Sequence, residues 1–148
     1  MSQNAFQSEK LQSAFNKLEG KAEILNQNID AISGEIRALE EKLYQLGIPV
    51  STQVQVADNS PLKKEEKDQV KIYEESLFKA LEILKWEKEE SSGKYRLIYQ
   101  RLLECEDIPG LSINSMERPL IECPMPVRLK MHAHLDKLVE AIANQVEA

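Results

Sequence analysis

Cysteine and histidine are the residues of this chain best suited to covalent or acid–base chemistry, and the chain has two of each. Cys123 stands just before a predicted helix that carries His132, and a thiol near a helix N-terminus can have a lowered pKa. The pair could act as a nucleophile and its base, but no neighbouring segment predicts an oxyanion hole. We therefore predict no catalytic residue, and an enzyme using Cys123 and His132 is a less favoured alternative among the functional hypotheses.

Metal and phosphate chemistry have less support still. On a helix, His132 and His134 would point to nearly opposite sides, so they cannot bind one metal ion together. The five glycines form no phosphate-binding loop, and no G-x-S-x-G serine motif occurs. Cys105 and Cys123 lie far apart in no C-x-x-C pattern, which favours reduced thiols in a cytoplasmic protein. We predict no metal and no cofactor.

The charge of the chain limits the classes of partner. Its net charge is −6 and its pI about 5.1, with basic and acidic residues interspersed. Phosphate backbones and anionic lipids attract basic faces, so we expect neither nucleic acid nor a membrane as a partner. We also expect no signal peptide and no membrane-spanning segment, since no apolar run approaches about 20 residues.

Four residues form a candidate partner surface in the C-terminal two thirds of the chain. Trp86, Tyr95 and Tyr99 could make an exposed aromatic platform for a base or a peptide. Packing in a core is the alternative for all three, because few basic residues lie near them. Arg128 falls inside the apolar arc of the last predicted helix, where it could bind an acidic group of a partner. Its alternatives are a packed stem with a solvated head or an ion pair with Glu122.

The strongest pattern in the sequence is a heptad repeat that spans residues 11–46. Its steps alternate between four and three residues, the spacing of a coiled-coil seam that another helix must cover. The seam consists of Leu11, Phe15, Leu18, Ala22, Leu25, Ile29, Ile32, Ile36, Leu39, Leu43 and Leu46. We expect the helix to end near Gly47, with Pro49 preventing its continuation.

The flanking charges of the seam bear on its orientation. Leucine at nearly every d position favours two strands, so we expect a homodimer or a hetero-oligomer. In a parallel homodimer Glu35 would face Glu40, a repulsion, and Lys21 would face the neutral Asn26. This mildly favours an antiparallel pair, a different partner, or packing onto a second helix of the same chain.

The remainder predicts a small mixed head. Residues 50–56 alternate as a strand, and Ser60 and Pro61 predict the start of a helix that runs to about Ala80. Residues 83–88 and 94–100 then form a hairpin, although a helix continued through residue 86 is the alternative. Residues 105–126 look irregular, with an edge strand over residues 120–121, and a final helix begins at Pro126.

Together these patterns predict an α+β fold, a long N-terminal coiled-coil helix (5–47) followed by a head (48–148). The head should hold two helices and a short antiparallel sheet with a hairpin, and residues 57–69 are a candidate hinge. Strong pairing signals beside absent catalytic motifs favour a non-enzymatic adaptor or scaffold that associates with itself or with a protein partner. A small acidic chaperone or regulator of another protein is the main alternative.

Overall fold

A computed structural model describes residues 6–73 and 76–147 and confirms the mixed α+β fold with its long N-terminal helix. The elements in chain order are α1 (Glu9–Gln45), β1 (Thr52–Ser60), α2 (Lys64–Gln69), β2 (Phe78–Lys88), β3 (Tyr95–Cys105), β4 (Ser112–Pro119), a 3-10 helix (Leu120–Glu122), α3 (Met125–His132) and α4 (Leu135–Glu147).

The long helix begins and ends where local chemistry dictates. The Ser8 hydroxyl accepts a hydrogen bond from the backbone N–H of Leu11 at 3.3 Å, which satisfies one unpaired donor of the first turn. The chain then leaves the helix through Gly47, whose φ of +64° suits glycine best. The predicted end near Gly47 is confirmed. The 37 residues of α1 make a rod about 55 Å long.

The four strands form one antiparallel sheet in the order β1-β2-β3-β4. The predicted hairpin is confirmed, and its register places Leu84 opposite Tyr99 and Trp86 opposite Leu97. These four residues lie on the same face of the sheet because directly paired residues of adjacent strands share a face. The hairpin is longer than predicted, since β2 begins at Phe78.

The helix predicted to run from Pro61 to about Ala80 is wrong. Ser60 is the last residue of β1, α2 covers only Lys64–Gln69, and the chain from Phe78 onwards is a strand. The cause lies in β2, a central strand in which Ala80 through Trp86 are all buried. A strand buried on both faces shows no alternation of apolar and polar residues, and its leucines happen to match helical spacing.

Two further expectations for the second half of the chain are corrected. Residues 112–119, predicted as irregular, form the edge strand β4, which is mostly polar and therefore shows no alternation of apolar and polar residues. Residues 120–121, predicted as an edge strand, lie in the 3-10 helix. The single final helix is two helices, because the chain turns between His132 and Leu135. His134 N–H donates to the Met131 carbonyl at 2.9 Å in that turn. No proline or glycine marks this break.

The main core lies between one face of the sheet and the helices α1, α3 and α4. Its buried members are Ile36, Leu43, Leu84, Trp86, Leu97, Tyr99, Leu120, Cys123, Met131, Leu135, Leu138 and Ile142. The long helix therefore contributes to the same core as the sheet. Among the described residues, no helix combines the length and hydrophobicity needed to cross a bilayer.

Candidate association surface

The apolar seam of α1 divides into two parts at about Ile32. The seam residues from Leu11 to Ile29, here called the N-terminal stripe, do not belong to the core and do not pack against it. Leu11, Phe15, Leu18 and Leu25 remain between 40% and 59% exposed, while Ala22 and Ile29 are half-buried. The Phe6 ring packs against Phe15 at a centroid distance of 5.4 Å. Four large side chains in a continuous stripe are thus left in water, and such patches mark interaction surfaces.

The remaining seam residues up to Leu43, here called the C-terminal stripe, are covered by the head. Ile36 and Leu43 are buried in the main core, and Ile32 and Leu39 pack against it from its edge. Leu46 lies beyond the end of α1 and is exposed. The head therefore occupies the seam side of α1 from about residue 32 onwards, where a coiled-coil partner would otherwise lie.

Polar contacts fix the C-terminal stripe onto the head. The Glu40 carboxylate accepts a hydrogen bond from the backbone N–H of Leu97 at 2.9 Å and another from Arg96 Nη2 at 3.3 Å. The Ser33 hydroxyl accepts from Arg128 Nη1 at 2.7 Å. Hydrogen bonds to charged groups are stronger than neutral ones, so these contacts specify how α1 sits on the head.

Arg96 joins three carboxylates at this junction. Its guanidinium lies 3.3 Å from Glu40, 3.6 Å from Glu89 and 3.3 Å from Glu122. Burial alone would lower the pKa of Arg96, but the three carboxylates outweigh it and raise this pKa above its ordinary value. Arg96 thus stays charged and links α1 to the hairpin and to the 3-10 helix.

The predicted aromatic partner surface is corrected, because Trp86 and Tyr99 are completely or almost completely buried. Trp86 Nε1 donates to the Ile48 carbonyl at 3.2 Å, and its ring stacks on Tyr95 at 5.8 Å. The Tyr95 hydroxyl donates to the Pro49 carbonyl at 2.8 Å. These aromatics belong to the core and hold the segment that follows α1. Packing in a core was the alternative that the sequence left open for them.

Arg128 is half-buried and lies in the first turn of α3. Its guanidinium donates to Ser33 on α1, whereas Glu122, the carboxylate considered for it, pairs with Arg96. Arg128 therefore acts as a contact between α1 and α3. This contact explains why Arg128 lies on the apolar side of α3, since its side chain reaches across to Ser33 on α1.

The cysteine and histidine considered for chemistry point to different partners. The Cys123 thiol donates to the Pro119 carbonyl at 3.5 Å, and burial raises the pKa of this thiol to about 11. It is therefore protonated at neutral pH and a poor nucleophile. His132 Nε2 lies 2.7 Å from a Glu35 carboxylate oxygen on α1. Within the described residues, no group of three histidine, cysteine or acidic side chains is arranged to hold a metal ion.

Sequence reasoning missed a buried charge pair beneath α2. Glu66 is only 2% exposed, and its carboxylate lies 2.6 Å from Arg101 Nε. It also accepts from the Ser115 hydroxyl at 2.5 Å and from the Lys63 backbone N–H at 2.9 Å. Burial would raise the pKa of Glu66, but these hydrogen bonds, with Arg101 first, lower it to about 2. The pair holds α2, part of the candidate hinge 57–69, on the sheet.

Glu82 extends this polar network along the same face of the sheet. It is 5% exposed and accepts hydrogen bonds from the Tyr99 hydroxyl at 2.7 Å, from Ser60 at 2.8 Å and from Lys130. Its carboxylate also lies 3.8 Å from Arg101. Burial opposes the charge of Glu82, yet these partners keep its pKa below the ordinary value. Every member has a partner here, so the network is structural.

No family model, curated protein or solved structure matches this chain. The geometry of the chain itself therefore carries the functional argument. Of the features described, the N-terminal stripe is the one whose apolar side chains are left without a covering element among the described residues.

Proposed function

We propose that this protein is a non-enzymatic association module of the cytoplasm, an adaptor or scaffold that pairs through the N-terminal stripe of α1. One observation carries the proposal, namely that Leu11, Phe15, Leu18 and Leu25 form an exposed stripe in heptad spacing. Apolar side chains in that spacing are buried when a second helix packs against them. The head serves as the folded body to which the pairing helix is fixed.

The division of the seam supports the proposal. The head uses Ile32, Ile36, Leu39 and Leu43 for its own core, so those residues are explained without a partner. Residues 11–29 continue the same repeat for three more heptads and project past the head. A helix extension of this length gains nothing for the head's own core, and pairing accounts for its apolar spacing.

The test compares two adjacent exposed residues of α1, one that lies on the N-terminal stripe and one that does not. Leu25 lies on the stripe at 50% exposure, and Ile24 lies off it at 62% exposure. Leu25→Asp should abolish association, because a charge in a coiled-coil seam is desolvated without a partner. Ile24→Asp is the matched control and should leave association unchanged, since its side chain faces solvent in the paired state as well.

Sedimentation equilibrium over a range of concentrations measures the outcome, alone and with any partner identified by affinity purification. Circular dichroism should give the same head stability for both variants and the unmodified protein, because neither residue contacts the head. An equal loss of association in both variants, or no association of the unmodified protein with any protein, would contradict the proposal.

A further inference from the structure

We infer that the occupant of the N-terminal stripe is a second copy of this chain, paired antiparallel about a two-fold axis at Gly20. The inference rests on the proposed function, because it takes residues 11–29 as the association surface. It adds the identity of the partner, its direction and its register. Three features carry it: the position of the head, the spacing of the stripe, and the place where α1 begins.

The head excludes a parallel pair of straight helices. In a parallel pair, residues 32–43 of the two copies would face each other across the seam. That side of each helix is already occupied by its own head, as the complete burial of Ile36 and the near-complete burial of Leu43 show. A partner running in the opposite direction avoids this, because its own head then lies at the far end of the pair.

The stripe is complementary to itself in the antiparallel direction. It begins with a d residue, Leu11, and ends with an a residue, Ile29, and antiparallel coiled coils place a residues opposite d residues. With Gly20 at the axis, Phe15 lies opposite the partner's Leu25, and Leu18 opposite the partner's Ala22. Leu11 then lies opposite the partner's Ile29, so six layers cover every residue of the stripe.

The limits of the helix favour this register over its neighbours. The first residue of the partner's helix, Glu9, falls opposite position 31, just before the head begins to cover the seam. A shift of one heptad toward the head would place Leu11 opposite Ile36, which the head already buries. A shift of one heptad the other way would leave Leu25 and Ile29 uncovered.

The charges beside the stripe give this register a characteristic dependence on salt concentration. Antiparallel pairing places Glu19 near the partner's Glu19 on one edge and Lys21 near the partner's Lys21 on the other. Both residues are exposed. The repulsion between like charges is therefore weak, and dissolved salt screens it. Raising the salt concentration should therefore strengthen the dimer. In a parallel pair Glu19 would face Ala14 and Lys21 would face Asn26, so neither of these two residues would meet a like charge.

Distances between spin labels on the full chain test direction and register together. Ser13, Gly20 and Gln27 all lie at the outward f position of the repeat, so labels there share one lateral offset across a pair. Each is replaced singly by cysteine. Cys105 and Cys123 are 4% exposed, and the unmodified protein serves as the control for their labelling.

The antiparallel dimer predicts the shortest distance at position 20, and equal, longer distances at positions 13 and 27. Those two label pairs are displaced along the helix axis by about 21 Å, at 1.5 Å per residue. Equal distances at all three positions would mean a parallel pair and overturn the inference. A monomer that binds a different protein through Leu25 would overturn self-pairing while leaving the proposed function standing. A monomer that binds nothing would overturn both.

A charge substitution gives an independent readout. Glu19→Gln should tighten an antiparallel dimer severalfold by removing one like-charge pair, and it should reduce the salt dependence. Glu23→Gln, at an outward position of the same helix, is the matched control. An unchanged dissociation constant for Glu19→Gln, or an equal change in both variants, would contradict the register proposed here.

Discussion

At the scale of single residues, the molecule depends on a few buried charges that have several partners each. Glu66 and Arg101 are 2% and 4% exposed and lie opposite each other between α2 and the sheet. A buried ion pair contributes little by itself, but removing one member leaves the other charge buried without compensation. The position of α2 therefore depends on both residues.

Glu66→Ala should lower the free energy of unfolding by about 3–5 kcal/mol, the usual result of breaking a buried pair. Glu65→Ala is the control, because Glu65 is the exposed neighbour and surface changes typically stay within ~0.5 kcal/mol. Urea denaturation followed by circular dichroism measures both. Equal stability of the two variants would mean that the pair does not hold α2.

The same residue gives a pH prediction. The pKa of Glu66 in the folded protein, about 2, lies below its ordinary value near 4.5. The stabilisation is therefore complete above about pH 4.5 and is lost as the pH falls toward 2. Over that window the unmodified protein should lose more stability than Glu66→Ala. Parallel stability curves for the two proteins would show that the charge of Glu66 contributes nothing.

At the scale of elements, sequence patterns predicted those whose periodicity is unmixed. The helix α1 and the hairpin register follow from heptad spacing and strict alternation around Leu84, Trp86, Leu97 and Tyr99. The first part of β2, residues 78–82, was not predicted as a strand because both faces are buried from Ala80 onwards, and β4 was not predicted because its residues are mostly polar. One usable signal was overlooked, since Arg101 shares the parity of the inward-facing Leu97 and Tyr99. An arginine at that position predicts a buried counter-charge.

The division of the seam at Ile32 was not predictable from the repeat. A heptad pattern shows that a helix needs a cover but does not identify the cover. The residues that supply it here, including Met131 and Leu138, lie some hundred positions further along the chain. Packing onto the chain's own second helix was one of three alternatives from the sequence, but the elements that lie against α1 are α3, β3 and the 3-10 helix.

Trp86→Ala should separate the two parts of α1. Removing a large buried aromatic typically costs ~3–5 kcal/mol, a large part of a small domain's stability. With the head unfolded, residues 33–45 lose their cover, so their amide protection from hydrogen exchange should fall. Protection over residues 11–29 should change little, because the head does not cover them.

Tyr44→Ala is the control for that experiment, since Tyr44 is a large aromatic of the same region that is 48% exposed and lies outside the buried core. It should leave protection unchanged along the whole helix. If residues 33–45 stayed protected in Trp86→Ala after β2 and β3 had lost their amide protection, α1 would be stable without the head.

At the scale of the whole molecule, the proposed antiparallel dimer carries its two heads at opposite ends. Its helices would extend about 75 Å from residue 45 of one copy to residue 45 of the other, at 1.5 Å per residue. Small-angle X-ray scattering should therefore give a maximum dimension above this value. Leu25→Asp should return the dimension of a monomer. A dimer no longer than about 55 Å along its helices would contradict the arrangement.

The distance along the chain between α1 and its cover has a consequence for synthesis. Arg128 and Ser33 meet although they are 95 residues apart in sequence, and His132 meets Glu35 across 97 residues. On the ribosome, α1 emerges first, and α3 follows only after the entire sheet has been made. Until then the C-terminal stripe lacks the part of its cover that Met131, Leu135 and Leu138 supply. Completion of the head covers the C-terminal stripe, so that within α1 the N-terminal stripe is the part of the seam that stays exposed in the folded chain.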